Sequence, residues 1–127
     1  MGRATARPGR ADLRRLVTRS EFLKAARGNR AGRSAFLLQA IGSEQPEPGI
    51  GFTVTKKSGN APERNRIRRR LRAAARACET RFQPQHDYVL VGRRDALTIP
   101  FDKLVGELSS AITKIHANRA EGPRDTK

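Results

Sequence analysis

The residues of this chain best equipped for chemistry are its arginines, and the chemistry they suit is the gripping of phosphate. In the run ERNRIRRRLRAAAR, Arg64, Arg66, Arg68, Arg69, Arg70, Arg72 and Arg76 stand with one acid, Glu63, at the start. A guanidinium carries a planar fork of donors that meets phosphate oxygens two at a time and stacks on bases, whereas a lysine ammonium acts as a point charge. The preference runs through the whole chain. There are 27 basic residues against 12 acidic ones, for a net charge of +15, and 21 of the 27 are arginine. Lysine would serve solubility equally well. The composition therefore points to a polyanionic partner, nucleic acid first. Lys56 and Lys57 extend the cationic run upstream. Arg93 and Arg94 form a further pair that reads either as phosphate contacts or as a solvated strand end.

Other chemistries find less to work with. His86-Asp87 is the one neighbouring acid–histidine pair, a general-base pattern. It sits in a turn with no nucleophile or carboxylate partner nearby, which favours a capping or surface role. The acids are scattered, unlike the clustered carboxylates of a two-cation nuclease. Asn60 beside a helix start is by itself a weak metal signal, so the expectation is no catalytic residue and no metal ligand on this chain. Cys78 is the only cysteine, which excludes an internal disulfide and a cysteine-built zinc site. Its apolar neighbours make it a buried structural thiol. No apolar run is long enough to cross a membrane, and the opening MGRATARPGR lacks the hydrophobic core of a secretory signal. A soluble, cytoplasmic protein is expected, with a basic disordered arm over 1–12, one domain over 13–117 and a frayed polar tail over 118–127.

These groups need a scaffold, and 127 residues suffice for one modest core. TRSEFLKAARG carries Thr18 and Glu21 at capping-box spacing and Gly28 where a helix would stop. That predicts a short helix over 19–27, with Phe22 as its one aromatic residue. SAFLLQAI reads as a half-buried strand, SEQPEPG as a turn, and IGFTVTKK as a second strand with Phe52 and Val54 on one face. Joined by so short a loop, the two strands are expected to pair as an antiparallel hairpin. A helix over 61–82 follows, then QPQHD as a break and YVLVGRR as a central strand. Finally, IPFDKLVGELSSAITKIHA places Phe101, Leu104, Val105, Leu108, Ala111, Ile112 and Ile115 on one helical stripe.

The arginine-rich helix has two faces. At about 100° per residue, Ile67, Leu71, Ala74 and Cys78 align on one stripe. Asn65, Arg69, Arg72 and Arg76 take the opposite side, with Arg66 and Arg68 flanking. Like charges four residues apart, such as Arg68 and Arg72, oppose the helix, so packing of the apolar stripe must hold it. Its start is specified as well. Gly59 allows a tight approach, Asn60 suits the N-cap, Pro62 is tolerated in the first turn, and Glu63 faces the positive end of the dipole.

The segment FTVTKKSGNAPERNRIRRRLRAAAR, Phe52 to Arg76, resembles the signature of the bacterial ribonuclease P protein subunit. In that family a strand ending in Lys-Lys leads through Gly-Asn-Ala into an Arg-Asn-Arg helix. Weaker resemblance covers about 15–115. The resemblance implies an accessory protein, monomeric in a 1:1 complex with an RNA that performs the chemistry. That chemistry is removal of the 5′ leader of precursor tRNA, with magnesium bound mainly by the RNA. It implies that Lys56, Lys57, Asn60, Arg64, Asn65, Arg66, Arg68, Arg69, Arg70, Arg72 and Arg76 contact the catalytic RNA. A cleft between the first helix and the sheet would hold the leader, with Phe22, Phe36, Arg93 and Arg94 as its candidates. Phe22 and Phe36 also read as plain core. The family often has aromatics where this chain has Ala26 and Gln39, which leaves Phe22 and Phe36 for stacking. The implied fold is α+β: a two-layer sandwich of a small mixed sheet and helices, with a left-handed βαβ crossover around the arginine helix. The general rule favours the right hand in about 98% of cases. A ribosomal or other structural RNA-binding protein fits the composition too. A helix-turn-helix DNA regulator does not, since the basic helix is bracketed by strands.

Overall fold

The computed structural model describes residues 14–16 and 18–120. The expected basic arm over 1–12 therefore lies outside the described residues, as does 121–127 of the expected tail. The strands are β1 (Arg14–Arg15), β2 (Asn29–Gly32), β3 (Phe36–Gly42), β4 (Gly49–Thr53) and β5 (His86–Gly92). The helices are α1 (Arg19–Ala26), α2 (Ala61–Ala77) and α3 (Phe101–Ala120), with single 3-10 turns at Lys56–Ser58, Glu79–Arg81 and Arg94–Leu97.

One mixed sheet runs β1-β4-β5-β3-β2. β5 is antiparallel to β3 and parallel to β4, so α2 is the crossover between two adjacent parallel strands. The expected β3–β4 hairpin does not form, because β5 lies between them. The reason is burial on two sides. Tyr88, Val89 and Leu90 are each 0–1% exposed, with alternate residues facing opposite layers. A strand apolar on both faces belongs in the sheet centre, and the six residues between β3 and β4 can span the roughly 10 Å of two strand spacings.

Helices α2 and α3 form the second layer of the sandwich. Ile67, Leu71 and Ala74 of α2 and Leu104, Leu108, Ile112 and Ile115 of α3 pack on Phe36, Leu38, Tyr88 and Leu90 of the sheet. Burying Ile67 and Leu71 stabilises by up to about 1.5–3 kcal/mol each. The four arginine pairs spaced i,i+4 in α2 cost about 0.2–0.5 kcal/mol each, so packing wins. α1 lies on the other face, where Leu16, Ala25 and Val89 are buried with Phe22, Ile41 and Val91 packed against them. Its capping box forms as the spacing predicts: Glu21 N–H donates to Thr18 Oγ1 at 3.2 Å and Thr18 N–H to Glu21 Oε1 at 3.1 Å.

Three further expectations shift. α2 ends at Ala77, short of 82, because Phe82 turns back into the core and stacks edge-on against Tyr88 at 4.8 Å. Phe101 drops out of the α3 stripe at 41% exposure, since the first residue of a helix overhangs the layer it enters. β1 and β2 are additional strands too short and too polar to show a period.

Candidate nucleic-acid interface

The turn between β4 and α2 is built for one conformation. Ser58 is buried, and its hydroxyl donates to the Gly92 carbonyl at 3.2 Å, tying the turn to the end of β5. Gly59 adopts φ 147°, a region closed to residues with a side chain, and a Cβ there would stand 2.5 Å from Glu63 Oε1. Asn60 then caps α2. Its Oδ1 accepts from Glu63 N–H at 2.9 Å, and its own N–H donates to Glu63 Oε1 at 2.9 Å. Arg94 completes the cluster with Nη1 and Nη2 donating to the two Glu63 oxygens at 3.2 and 3.1 Å. The Arg94 hydrogen bonds, then the Asn60 backbone bond, hold the Glu63 carboxyl below its usual pKa, and Glu63 raises that of Arg94. The Arg94 side chain is 60% exposed, so this pair fixes geometry more than it adds stability.

From that start α2 presents Asn65, Arg66, Arg69, Arg72 and Arg76 to solvent, while Ile67, Leu71, Ala74 and Cys78 are buried behind them. Arg72 lies over the Phe52 ring, 5.5 Å from its centroid. Arg68 Nη1 donates to Asn65 Oδ1 at 3.1 Å, and Arg64 Nη1 to the Gly59 carbonyl at 2.9 Å. Arg70 differs from its neighbours. Its Nη2 donates to the Ile99 carbonyl, and its Nε is buried without a partner, so its head points into the joint between α2 and α3. Helical spacing carries the signal for this, since position 70 falls three residues after Ile67 and four before Ala74. Lys56 and Lys57 are exposed beside the helix start. Burial pushes the Cys78 thiol up, the nearby Arg81 charge acting against it.

The opposite face of the sheet is half open. Phe22 lies across Gly51, where a Cβ would meet its ring at 2.6 Å. Leu37, Gln39 and Val91 sit half-buried along the same face, with exposed Arg30 on β2. Arg93 joins them at the end of β5: its guanidinium lies over Gly32, and its Nη1 donates to the Arg33 carbonyl at 2.8 Å. The four leader candidates are thus divided. Phe22 and Arg93 share this face. Phe36 is 0% exposed in the core beneath α2 and α3, because odd and even residues of a strand point to opposite layers. Arg94, one residue past Arg93, turns to the α2 side. Asp87 is engaged by Arg14 Nη2 at 2.5 Å, and His86 Nδ1 lies 2.9 Å from the Pro84 carbonyl, so the acid–histidine pair makes no catalytic dyad.

Among the described residues no three His, Cys, Asp or Glu side chains converge into a group that would hold a metal ion, and no helix is long and apolar enough to cross a membrane. The family model described as Ribonuclease P matches residues 11–116. The ribonuclease P protein component of Brucella suis is 42% identical over 123 residues, covering 89% of this chain and 87% of its own. That of Gluconacetobacter diazotrophicus is 47% identical over 111 residues, covering 84% and 95%. The chain belongs to the ribonuclease P protein family.

Solved ribonuclease P proteins share the fold. The protein from Thermotoga maritima aligns with a TM-score of 0.70 at 22% identity over 80% of this chain and 96% of its own. The one from Staphylococcus aureus aligns with a TM-score of 0.66 at 22% identity over 80% and 95%. In this ribonuclease P protein the two candidate surfaces lie on opposite sides of one sheet. The α2 face holds Asn60 and the arginines of α2 other than Arg70, and the α1 face holds Phe22, Arg93 and the unforeseen Arg30. Arg30 escapes sequence reading because β2 is four residues long. As part of a ribonuclease P the chain acts with an RNA partner in tRNA processing.

Proposed function

We propose that the chain binds the catalytic RNA of ribonuclease P through the outer face of α2, and the single-stranded 5′ leader of precursor tRNA across the α1 face of the sheet. The observation that carries this is the segregation on α2, with Ile67, Leu71 and Ala74 wholly buried and Arg66, Arg69, Arg72 and Arg76 exposed. Guanidinium groups anchored on a rigid helix neutralise phosphates and release counterions without a folding cost at the moment of binding. Across the sheet, Arg30 and Arg93 flank a half-apolar strip with Phe22 at its side, a combination that suits a phosphate backbone with bases laid inward.

The reaction belongs to the RNA in this reading. Among the described residues no three carboxylate, imidazole or thiol side chains converge; in this reading magnesium is held by RNA phosphates, and no step is routed through the protein. The protein acts as a monomer on one RNA in the cytoplasm. Its part is to stabilise the folded RNA and to favour substrates that carry a leader. The test is cleavage of precursor tRNA at graded magnesium. The protein alone is expected to leave the substrate whole, and its addition to lower the magnesium the RNA requires. Cleavage by the protein alone would refute the assignment.

A further inference from the structure

At the end of the sheet remote from the start of α2, the Glu79–Arg81 turn and the last turns of α3 border a cleft of about 620 Å³, within the size range of ligand sites. Arg81, Gln83, Thr113 and His116 line it. Two of these are already held. Arg81 Nη2 donates to Thr113 Oγ1 at 2.7 Å. His116 Nε2 lies 2.6 Å from the hydroxyl of Tyr88, which is wholly buried and accepts the Gln83 N–H at 2.8 Å. Ring and guanidinium are thus placed before a ligand arrives, which lowers the entropic cost of binding.

The adjoining backbone is unusual. Gln85 has φ 59°, alone among the described non-glycine residues. Next to it, the buried Nε2 of His86 has no hydrogen-bond partner, and its ring stands edge-on to His116 with centroids 4.8 Å apart. Gln85 and His86 line the neighbouring depression with Pro84 and Gly42, and they brace this cleft only through the contact of the His86 ring with His116. Charge suits the cleft to an anion: exposed Arg81 lines it, and exposed Arg76 precedes it by five residues in the chain.

We propose that the cleft is a second RNA contact that takes one unpaired nucleotide, its phosphate on Arg81 and its base against the His116 ring. Unstacked RNA bases pack on aromatic and histidine side chains while arginine holds the backbone. The inference rests on the reading that this chain binds the ribonuclease P RNA.

The experiment measures affinity for that RNA across salt concentrations for Arg81→Gln, Arg81→Lys, His116→Gln and the triple variant Arg69, Arg72, Arg76→Gln, with a melting curve for each. Loss of one phosphate contact to an unpaired nucleotide should flatten the log–log salt slope by about 0.7, which is roughly a fourfold loss at 0.15 M salt, for Arg81→Gln. Arg81→Lys should recover most of the slope. His116→Gln should weaken binding by about fivefold or more with the slope unchanged, since stacking is not ionic. Native affinity for both Arg81→Gln and His116→Gln, or losses only in proportion to lowered melting temperatures, would overturn the second contact. If the triple variant alone is weakened, the α2 reading stands without it. If the triple variant binds as the native chain does, the reading of α2 fails first.

Discussion

Replacing Arg69, Arg72 and Arg76 by glutamine removes three exposed charges from α2 and leaves its buried stripe intact. If each meets one phosphate, the log–log dependence of RNA affinity on salt loses about 2.7 from its slope. At 0.15 M salt that is a loss on the order of a hundredfold, or about 2.8 kcal/mol. Stability should move little. Arg72 gives up its position over Phe52, about 0.5–1 kcal/mol, while relief of repulsion with Arg68 and between Arg72 and Arg76 returns about 0.2–0.5 kcal/mol per pair. Filter binding at several salt concentrations gives the slope, and urea unfolding gives the stability. Arg70→Gln is the internal control. Its guanidinium holds the Ile99 carbonyl, so this variant should lose about 1–2 kcal/mol of stability and keep the native salt slope. A triple variant with the native slope, or an Arg70→Gln variant with a flattened one, would refute the division of α2 into an RNA face and a packing face.

Two further outcomes follow from the sites described. Gly51→Ala sets a methyl 2.6 Å from the Phe22 ring and 3.2 Å from the Leu16 Cβ. It should displace α1 and bring the preference of the assembled enzyme for precursor over mature tRNA toward one in equilibrium binding. An unchanged preference would remove Phe22 and the α1 face from the leader site. Glu63 has a folded pKa held below its ordinary 4.5 by Arg94 and the Asn60 backbone. Its contribution to stability is therefore full above about pH 4.5 and is lost as pH falls through the lower folded value. Urea midpoints taken from about pH 5 to 3 should fall less steeply for Glu63→Gln than for the native chain.

Much of α2 is legible in the sequence because its determinants are local. The 100° period sets Ile67, Leu71 and Ala74 against Arg69, Arg72 and Arg76 within a few turns. The Asn60–Glu63 and Thr18–Glu21 boxes each span four residues. Gly59 answers to a backbone angle at one position. Arg70 marks the edge of that legibility, since its charge suggests the outer face and its spacing the inner one. Only the carbonyl of Ile99, 29 residues away in the chain, resolves the choice.

Strand order and face assignment belong to the tertiary structure. Proximity in sequence favours a β3–β4 hairpin, yet β5 separates them, because Tyr88 and Leu90 must meet α2 and α3 while Val89 meets α1. Alternation states that Phe36 and Leu37, or Arg93 and Arg94, point opposite ways. It does not state which way is inward, and that depends on where remote helices settle. By itself the sequence determined a cationic helix, its caps and its apolar stripe, all governed by residues within one or two turns. The packed fold decided which groups share a surface, because that requires burying strands and helices whose partners lie far along the chain.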